Sequence, residues 1–457
     1  MSVDKPIPTT QPRTDTDVVF DPSTYVEGVP FDALTRLRRA RPVIWVEESP
    51  VLGWPGGPGF WLVLRHADVE TVLTQPQLFS SAIGGTQIRD PSTPEALRYV
   101  RRMMLNMDPP EHSRLRRLLT RSFTPRAVAQ LEERIRGHAR AIVGRVVGDA
   151  ERGSCDFAKD VAADLPLLTL AEVLGVPAAD RMLLFDWSNR VIGYQDPDYA
   201  SSAEFDLASG TTMAREALRL RPSPGPDGSI SDPRTREGMP DLYAYAHLLA
   251  EEKRRRPGND VMSILLAQVD DDGGQVSVEE FENMFWLFAV AGNETLRNGL
   301  PGACIGLLDY PSLQDELRQD PSLLPGAVEE LLRWWTPVMT FRRTAAADCR
   351  LGEVEIRAGQ KVVVSFTSAN RDESVFSDPD RLDIRRQPNR HVALGHGPHF
   401  CLGAQLARVQ MRALFAEVLT QMGQLEYNDT PAYLRSNFQR GVKRLPIRWS
   451  RTARPVQ

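Results

Sequence analysis

A single cysteine lies in a glycine-rich segment near the end of the chain, directly before a run of residues that favours a helix. The segment His391–Arg408 reads HVALGHGPHFCLGAQLAR and surrounds Cys401 with Gly395, Gly397 and Gly403. Glycine permits backbone conformations closed to other residues and lets the chain approach a flat, bulky group. A thiolate just before a helix N-terminus is favoured by the helix dipole and by free N–H groups. These are the requirements of a cysteine that ligates iron, with backbone donors near its sulfur.

Two other interpretations of this segment compete with iron ligation. A lone cysteine in a glycine-rich turn is usually structural, and His396, His399 and Cys401 would form a zinc site that lacks an evident fourth ligand. The fuller pattern G-x-G-x-H-x-C-x-G has a chance of about one in 10⁷ per starting position at average composition. It resembles the haem-binding signature of the cytochrome P450 family, and the resemblance favours iron.

The resemblance implies a cofactor, its neighbours and a source of electrons. Cys401 is the expected ligand of the iron of haem b, with Leu394, Gly395 and Gly403 beside the haem; the family usually has Phe where this chain has Leu394. Dioxygen is the implied co-substrate and NAD(P)H the source of electrons. The chain shows no glycine-rich dinucleotide fingerprint or flavin module, so we expect external partners, a ferredoxin and a ferredoxin reductase. Candidate docking contacts are Arg114, Arg117, Arg121, Arg408 and Arg412.

A long stretch, Phe281–Leu300, is apolar on nearly every face, which predicts a buried helix. Proline lacks a backbone N–H and clashes with the preceding turn. We therefore expect Pro301 to kink or end this helix near Asn298.

The middle of this stretch reads AGNET. Ala291 and Gly292 are small enough for a ligand to lie against the helix. Glu294 and Thr295 are costly in such surroundings unless they are paired or functional, and a cap or a solvated notch is the alternative. In the P450 family an acid–alcohol pair here delivers protons during dioxygen activation. The resemblance therefore implies Glu294 and Thr295 as catalytic residues, with Ala291 and Gly292 beside the haem.

Glu330 and Arg333 form an E-x-x-R motif, and residues three apart on a helix can form an ion pair. Such a motif occurs by chance in most proteins, but it lies before Cys401 in the order typical of the P450 family. The resemblance implies a structural role that ties the helix to the loop before the cysteine segment. Either Arg381 or Arg386 is expected as a third member.

The segment Asp108–Arg116 places proline and an acid at a helix start, as capping rules favour. His112 and Arg116 are four residues apart and share one face; a solvated basic helix is the alternative. The family places a His/Arg pair of this spacing on the haem propionates. The resemblance adds Arg343 and His399, and four donors facing two carboxylates are electrostatically reasonable.

The composition is that of an ordinary globular protein. The chain has 457 residues, 42% hydrophobic and 25% charged, and its net charge of −5 argues against a nucleic-acid partner. Four widely spaced cysteines without a C-x-x-C pair indicate neither a zinc ribbon nor a dithiol site. The N-terminus lacks the layout of a secretory signal, and no stretch reaches the ~18 apolar residues that span a bilayer. We therefore expect a cytoplasmic protein without a membrane anchor.

The remaining pattern predicts mostly helix with a minority of strand. Residues 1–18 have the composition of a disordered tail. The resemblance covers residues 20–449 and implies the mainly α cytochrome P450 fold: a triangular helical prism with a small β-rich lobe, about 42–65 and 350–390, in one domain of residues 19–457 that is expected to be a monomer. Predicted helices are Phe31–Arg41, Ala127–Val147, Ala162–Leu174, Arg181–Ile192 and Leu402–Met422, and predicted strands are Val43–Val46, Phe60–Leu64, Val354–Ile356 and Lys361–Ser365.

Family placement also implies a substrate pocket. No carboxylate or lysine stands out as a substrate anchor, although Arg89 and Arg102 lie nearby in sequence. The expected reaction inserts one oxygen atom of dioxygen into a C–H bond of a sterol, terpenoid or branched lipid, because the sequence AGNETLRN and residues 436–446 are similar to actinobacterial members with such substrates. A tailoring oxidase of an aromatic, polyketide or peptide metabolite is the alternative, with a non-oxygenase haem protein or a peroxygenase further off. The expected lining is Ile83, Ile88, Met103, Met104, Leu287, Phe288, Val290, Ala291, Val338, Met339, Phe341 and Phe438.

Overall fold

The fold is mainly helical, as a computed structural model shows for residues 13–91, 93–120, 125–201, 205–206, 208–223, 231–269 and 274–451. The helices are α1 (Asp15–Phe20), α2 (Phe31–Ala40), α3 (His66–Thr74), α4 (Pro94–Val100), α5 (Glu111–Thr120), α6 (Pro125–Val147), α7 (Asp164–Leu174), α8 (Arg181–Ile192), α9 (Pro197–Ala200), α10 (Thr212–Leu218), α11 (Pro240–Arg255), α12 (Val261–Ala267), α13 (Val278–Asp309), α14 (Pro311–Gln319), α15 (Leu324–Trp335), α16 (Phe366–Ala369) and α17 (Ala404–Gln421). The strands are β1 (Val43–Val46), β2 (Phe60–Val63), β3 (Phe79–Ser80), β4 (Arg152–Asp156), β5 (Thr340–Ala345), β6 (Cys349–Leu351), β7 (Val354–Ile356), β8 (Lys361–Ser365), β9 (Gln424–Tyr427), β10 (Ala432–Tyr433), β11 (Val442–Arg444) and β12 (Pro446–Ser450).

The β-rich lobe is built around a five-stranded sheet of order β1-β2-β8-β5-β3. β1 and β2, both predicted as strands, pair antiparallel and place Val43 opposite Val63. β2 runs parallel to β8, whose five residues are all buried. β5 lies antiparallel to β8 and pairs Arg343 with Val362. The central strand β8 therefore holds β5, and Arg343 with it, at a fixed place in the lobe.

The helical part is organised around α13, which packs against α7, α8, α11 and α15. Its N-terminus carries a capping box, in which Ser277 accepts from the Glu280 N–H and Glu280 accepts from the Ser277 N–H. The prediction of a buried helix is confirmed, but the expectation that it ends near Asn298 is wrong, since it continues to Asp309. Pro301 removes one backbone donor, and the following turn is held by packing: a Cβ on Gly302 would lie 2.1 Å from the Trp335 ring.

The chain start departs from the predicted tail of residues 1–18, because α1 begins at Asp15. Thr14 accepts from the Asp17 N–H and Asp17 accepts from the Thr14 N–H, so a capping box stabilises a helix that composition did not reveal. Residues 1–12 lie outside the described part of the chain. The predicted helix Arg181–Ile192 is confirmed at both ends, and the other predicted helices agree within about two residues.

A buried ion pair joins α15 to the segment that precedes the cysteine turn. Glu330 accepts from Arg333 Nε and Nη2, each at 2.7 Å, and both side chains are 0% exposed. Arg386 Nε lies 3.2 Å from Glu330 Oε1, and Asn389 donates to Oε2 at 3.1 Å. Arg381 contributes only its backbone carbonyl, which accepts from Arg333. Of the two candidates for a third member, Arg386 is therefore the one whose side chain meets Glu330.

Replacing Glu330 by alanine should destabilise the chain strongly. Truncation leaves the buried guanidinium of Arg333 without its counter-charge, a change that typically costs about 3–5 kcal/mol of the free energy of unfolding. Urea unfolding followed by circular dichroism measures the loss. The matched control is Glu355→Ala, which removes an exposed carboxylate 3.2 Å from Arg357 and should change stability far less. Equal losses in the two variants would contradict the prediction.

Candidate active site

Cys401 is presented by a turn that requires glycine. Gly395 and Gly397 have φ angles of 77° and 68°, in the left-handed region that favours glycine. A Cβ on Gly397 would lie 2.5 Å from the carbonyl oxygen of Leu73, so the turn also packs closely on α3. The Cys401 N–H donates to the Leu394 carbonyl at 2.9 Å. The turn therefore holds Cys401 at the wall of a large cavity, just before α17.

The thiol of Cys401 lies between opposing electrostatic influences. Burial raises its pKa, whereas the Gly403 N–H and the guanidinium groups of Arg116 and Arg408 lower it. Arg408 is fixed by Glu329, which accepts from its Nε at 2.6 Å and its Nη2 at 2.8 Å. The net pKa stays above the ordinary value. A metal cation against the sulfur would supply the stabilisation that the thiolate still needs.

Four basic side chains share the wall of the same cavity: His112 and Arg116 from α5, Arg343 from β5 and His399 from the cysteine turn. The rings of His112 and His399 lie 4.1 Å apart between centroids. Burial lowers the pKa of Arg343 to about 10. Burial, reinforced by nearby Arg116, lowers the pKa of His112 to about 4. The structure thus brings together the four residues that the sequence singled out on three separate segments.

In the described part of the chain, few carboxylate groups lie close enough to this basic cluster to neutralise it. The hydrogen bond that Arg343 makes in the described structure runs from its Nη1 to the Arg342 carbonyl at 2.9 Å. Both ring nitrogens of buried His112 lack a hydrogen-bond partner in the described part of the chain. The nearby carboxylate of Asp108 accepts instead from Ser80 and Ser81. Buried donors without partners are costly, so the cluster fits a ligand that brings carboxylates.

The middle of α13 forms a further part of the cavity wall. Ala291, Gly292 and Thr295 line it. Because Ala291 and Gly292 carry little or no side chain, a flat group has room against the helix. The Thr295 hydroxyl donates to the Ala291 carbonyl at 2.9 Å. The cavity, with its mouth included, encloses about 1590 Å³. A thiolate ligand, a carboxylate-binding cluster and a smooth helix face are together the donor set and the space that a haem requires.

Glu294 does not line this cavity, although Thr295 does. Consecutive helix residues point about 100° apart, and Glu294 is turned toward α8, fully buried. It accepts from Tyr199 OH at 2.5 Å, from Arg297 at 2.9 Å and from Ser188 at 3.2 Å. The predicted catalytic pair is therefore divided: the alcohol faces the cavity, and the acid sits in a hydrogen-bonded network behind it.

A smaller cavity of about 770 Å³ adjoins the large one and shares Ala291, Thr295 and Phe341 with it. The predicted lining residues that lie in the walls of the two cavities are Met103, Met104, Leu287, Phe288, Val290, Ala291, Val338, Phe341 and Phe438.

Three predicted lining residues lie elsewhere. Ile83 is 41% exposed at the surface. Ile88 packs against the cluster around Phe20, on the outer side of the sheet. Met339 is buried, and its backbone is engaged with Phe438 and Phe366. Family order places these segments near the pocket, but only the path of the backbone decides which side chains turn inward.

Sequence reasoning missed the polar part of the smaller cavity. Gln87, Arg89, Asn106 and Arg234 line it together with Trp286. Arg89 was noticed only for its position in sequence, and Arg234 lies in a loop far from every motif. Arg102 is an exposed partner of Glu279 and lines neither cavity. Nothing in the sequence around Arg234 indicates that this residue lines the cavity.

The zinc alternative finds no ligand set. Among the described residues, no group of three or more His, Cys, Asp or Glu side chains is arranged to hold a metal ion. His396 turns toward Glu70, and the His399 ring packs against the His112 ring at a tilt of 41°. Within the same residues, no helix combines the length and apolar character needed to cross a bilayer.

Comparisons with known proteins agree on one family. The cytochrome P450 family profile matches residues 244–422. A steroid C26-monooxygenase of Mycolicibacterium smegmatis is 36% identical over 440 residues, which cover 96% of this chain and 94% of that protein. A methyl-branched lipid omega-hydroxylase of Mycobacterium bovis is 36% identical, covering 92% and 90%. A solved cytochrome P450 of Mycobacterium marinum in complex with pseudoionone superposes with a TM-score of 0.80 at 35% identity, covering 98% and 100%.

Replacing Arg343 by methionine should separate haem retention from chain stability. The apolar side chain removes a buried charge and should leave the haem-free chain at least as stable in urea. The haem-loaded protein loses a charge-assisted hydrogen bond, so haem should leave about tenfold faster. Transfer of haem to a scavenging apoprotein, followed by absorbance, measures this rate. Arg117→Met on the exposed face of α5 is the control, and equal release from both variants would contradict a role for Arg343 in haem binding.

Proposed function

The chain belongs to the cytochrome P450 family and is a monooxygenase; from that premise we propose that it oxidises the aliphatic chain of a sterol or a methyl-branched lipid. The observation that carries the proposal is the small cavity, which opens onto Thr295 and Ala291 between apolar walls. Its volume suits a small molecule. The two relatives above bear names for oxidation of a steroid at C26 and of a branched lipid at its omega end, both positions at the end of a chain.

When bound, haem b would supply the chemistry that activates dioxygen and inserts one oxygen atom into a C–H bond, with electrons from NAD(P)H delivered by redox partners. Cys401 would hold it through its thiolate, with the Gly403 N–H and Arg116 opposing protonation of the sulfur. His112, Arg116, Arg343 and His399 would bind its propionates. The small side chains of Ala291 and Gly292 leave the space between Cys401 and α13 open.

Thr295 is the catalytic residue of this chain, and its side chain lines both cavities. Its hydroxyl rests on the Ala291 carbonyl, and rotation about χ1 lets it donate into the cavity. Glu294 is a positioning residue, because Tyr199, Arg297 and Ser188 hold its carboxylate behind the helix. The network holds the Glu294 carboxylate one residue away from Thr295 in the chain. It also keeps this carboxylate out of the apolar pocket.

Thr295→Ala should uncouple the consumption of reductant from product formation. Without the hydroxyl, proton transfer in the cavity loses its donor, and the fraction of reductant that ends in product should fall about tenfold. The ratio of product formed to NAD(P)H oxidised measures this. Thr71→Ala removes an exposed hydroxyl with the same bond to its i−4 carbonyl and should leave coupling intact. Unchanged coupling in Thr295→Ala would show that the hydroxyl has no part in proton delivery.

The proposed function is tested by spectroscopy and product analysis on the same protein. The reduced, CO-treated protein should show the far-shifted Soret band of a thiolate-ligated porphyrin, and Cys401→Ser should lose it. With a surrogate ferredoxin and reductase, the protein should hydroxylate a sterol side chain or a methyl-branched fatty acid near the chain end. Binding and turnover confined to aromatic or polyketide compounds would instead support the tailoring alternative.

The redox partner is proposed to be a small acidic ferredoxin that docks on the cysteine side of the molecule. Of the candidate contacts, Arg117 is exposed and Arg114, Arg408 and Arg412 are partly exposed, while Arg121 lies outside the described residues. We favour Arg117 as a contact because a docking partner must reach the charge from solvent. Free thiols at all four cysteines suit the reducing cytoplasm, which we propose as the location of a monomer.

A further inference from the structure

The small cavity is apolar at one end and basic at the other. Where it joins the large cavity, the two share Ala291 and Thr295, and Val100, Met103 and Trp286 add apolar side chains to the wall of the small one. Arg89 and Arg234 belong to the part of the wall that the large cavity does not share, which we call the basic end. An apolar site with a polar group at one end selects amphipathic ligands and fixes their direction.

The charges around this basic end do not balance. Among the described residues, three carboxylates lie there, and each has its shortest ion pair with a cation other than Arg89. Arg234, for example, donates to Asp232 through Nε at 2.9 Å and Nη2 at 2.7 Å. The other two pairs are Lys361 with Glu48 at 2.7 Å and Arg342 with Asp90 at 2.8 Å. Arg89 is therefore a fourth cation facing three carboxylates that already have partners.

Arg89 itself is held in place by two backbone carbonyls and forms only a long ion pair, with Glu48, among the described residues. Its Nη1 donates to the Pro55 carbonyl at 2.6 Å and its Nη2 to the Ser49 carbonyl at 2.9 Å. In the described part of the chain, the carboxylate that approaches it is Glu48, whose Oε1 is 3.7 Å from Nε. Its side chain is 11% exposed, and burial lowers its pKa. A guanidinium carries five N–H donors, so Arg89 keeps donors for a ligand.

We propose that Arg89 binds the carboxylate of the substrate and so holds an aliphatic acid with its far end at Thr295. This inference rests on the proposed function and narrows it to a methyl-branched fatty acid. The two bonds from Arg89 to backbone carbonyls preorganise the guanidinium, which reduces the entropy lost on binding. The anion gains a charge-assisted hydrogen bond in a site largely shielded from water. Anchoring the carboxylate at one end of the cavity places oxidation at the other end of the chain.

The test compares a methyl-branched C16 fatty acid with its methyl ester, which has the same chain without the charge. Calorimetric titration of the haem-loaded protein at pH 7 gives both dissociation constants. The wild type should bind the acid at least about tenfold more tightly than the ester. Arg89→Gln should weaken the acid about tenfold and remove this preference. Arg98→Gln, which removes an exposed arginine paired with Glu95 on α4, should keep it.

Equal affinity of the wild type for acid and ester would overturn the proposal, whether or not Arg89→Gln folds. An equal loss of acid binding in Arg89→Gln and Arg98→Gln would overturn it too, since the effect would then be one of general charge. Because binding is measured without turnover, the result is separate from the proposed function. Tight, Arg89-dependent binding of an acid that is never oxidised would contradict the activity, whereas turnover of sterols and esters without preference for acids would contradict the carboxylate site.

Discussion

Buried positive charge that the protein does not neutralise is the constraint on which the active site depends. Arg343 lies on an inner strand, and burial lowers its pKa to about 10. His112 and His399 pack against each other in the same cavity wall, without a carboxylate bonded to them among the described residues. Such a cluster is costly in an empty cavity and favourable around a group that carries carboxylates. Cofactor binding and the stability of the surrounding fold are therefore coupled, because ligand binding to the folded chain shifts its unfolding equilibrium.

The ion pair of Glu330 and Arg333 differs from the basic cluster of the cavity, because its charges are bonded to each other within the protein. There, one carboxylate faces Arg333 and Arg386, and the amide of Asn389 completes its coordination. Glu330 and Arg333 are both 0% exposed, and both carboxylate oxygens of Glu330 accept hydrogen bonds. Arg89 is the opposite case, an arginine fixed by neutral carbonyls at the edge of a cavity. Buried cations that are hydrogen-bonded to a carboxylate hold elements together, whereas buried cations without such a close partner mark the places where a ligand completes the structure.

Helix α13 links these sites because its two faces have different tasks. Thr295 and the small residues before it form one wall of the large cavity. Glu294, one residue away, is locked to α8 and to Tyr199 on the other face. The helix is held on several sides by α7, α8, α11 and α15, which explains why it passes through Pro301 without ending. The chemistry requires a proton donor in a fixed position, and the rigidly held helix provides this for Thr295.

The sequence by itself determined two kinds of feature: local structure, and the identity of residues that belong to motifs in a recognisable order along the chain. Periodicity located helix Arg181–Ile192 at both ends, and the spacing around Cys401 identified the turn and the residue that presents a sulfur. The resemblance to the P450 family implied His112, Arg116, Arg343 and His399, which the fold does bring to one cavity. The tertiary structure decided which side chains face that cavity: it turned Glu294 away, excluded Met339 and brought in Arg234. The direction of a side chain depends on the rotation of its helix or the register of its strand. Both are set by long-range packing, so they cannot be read from neighbouring residues in the sequence.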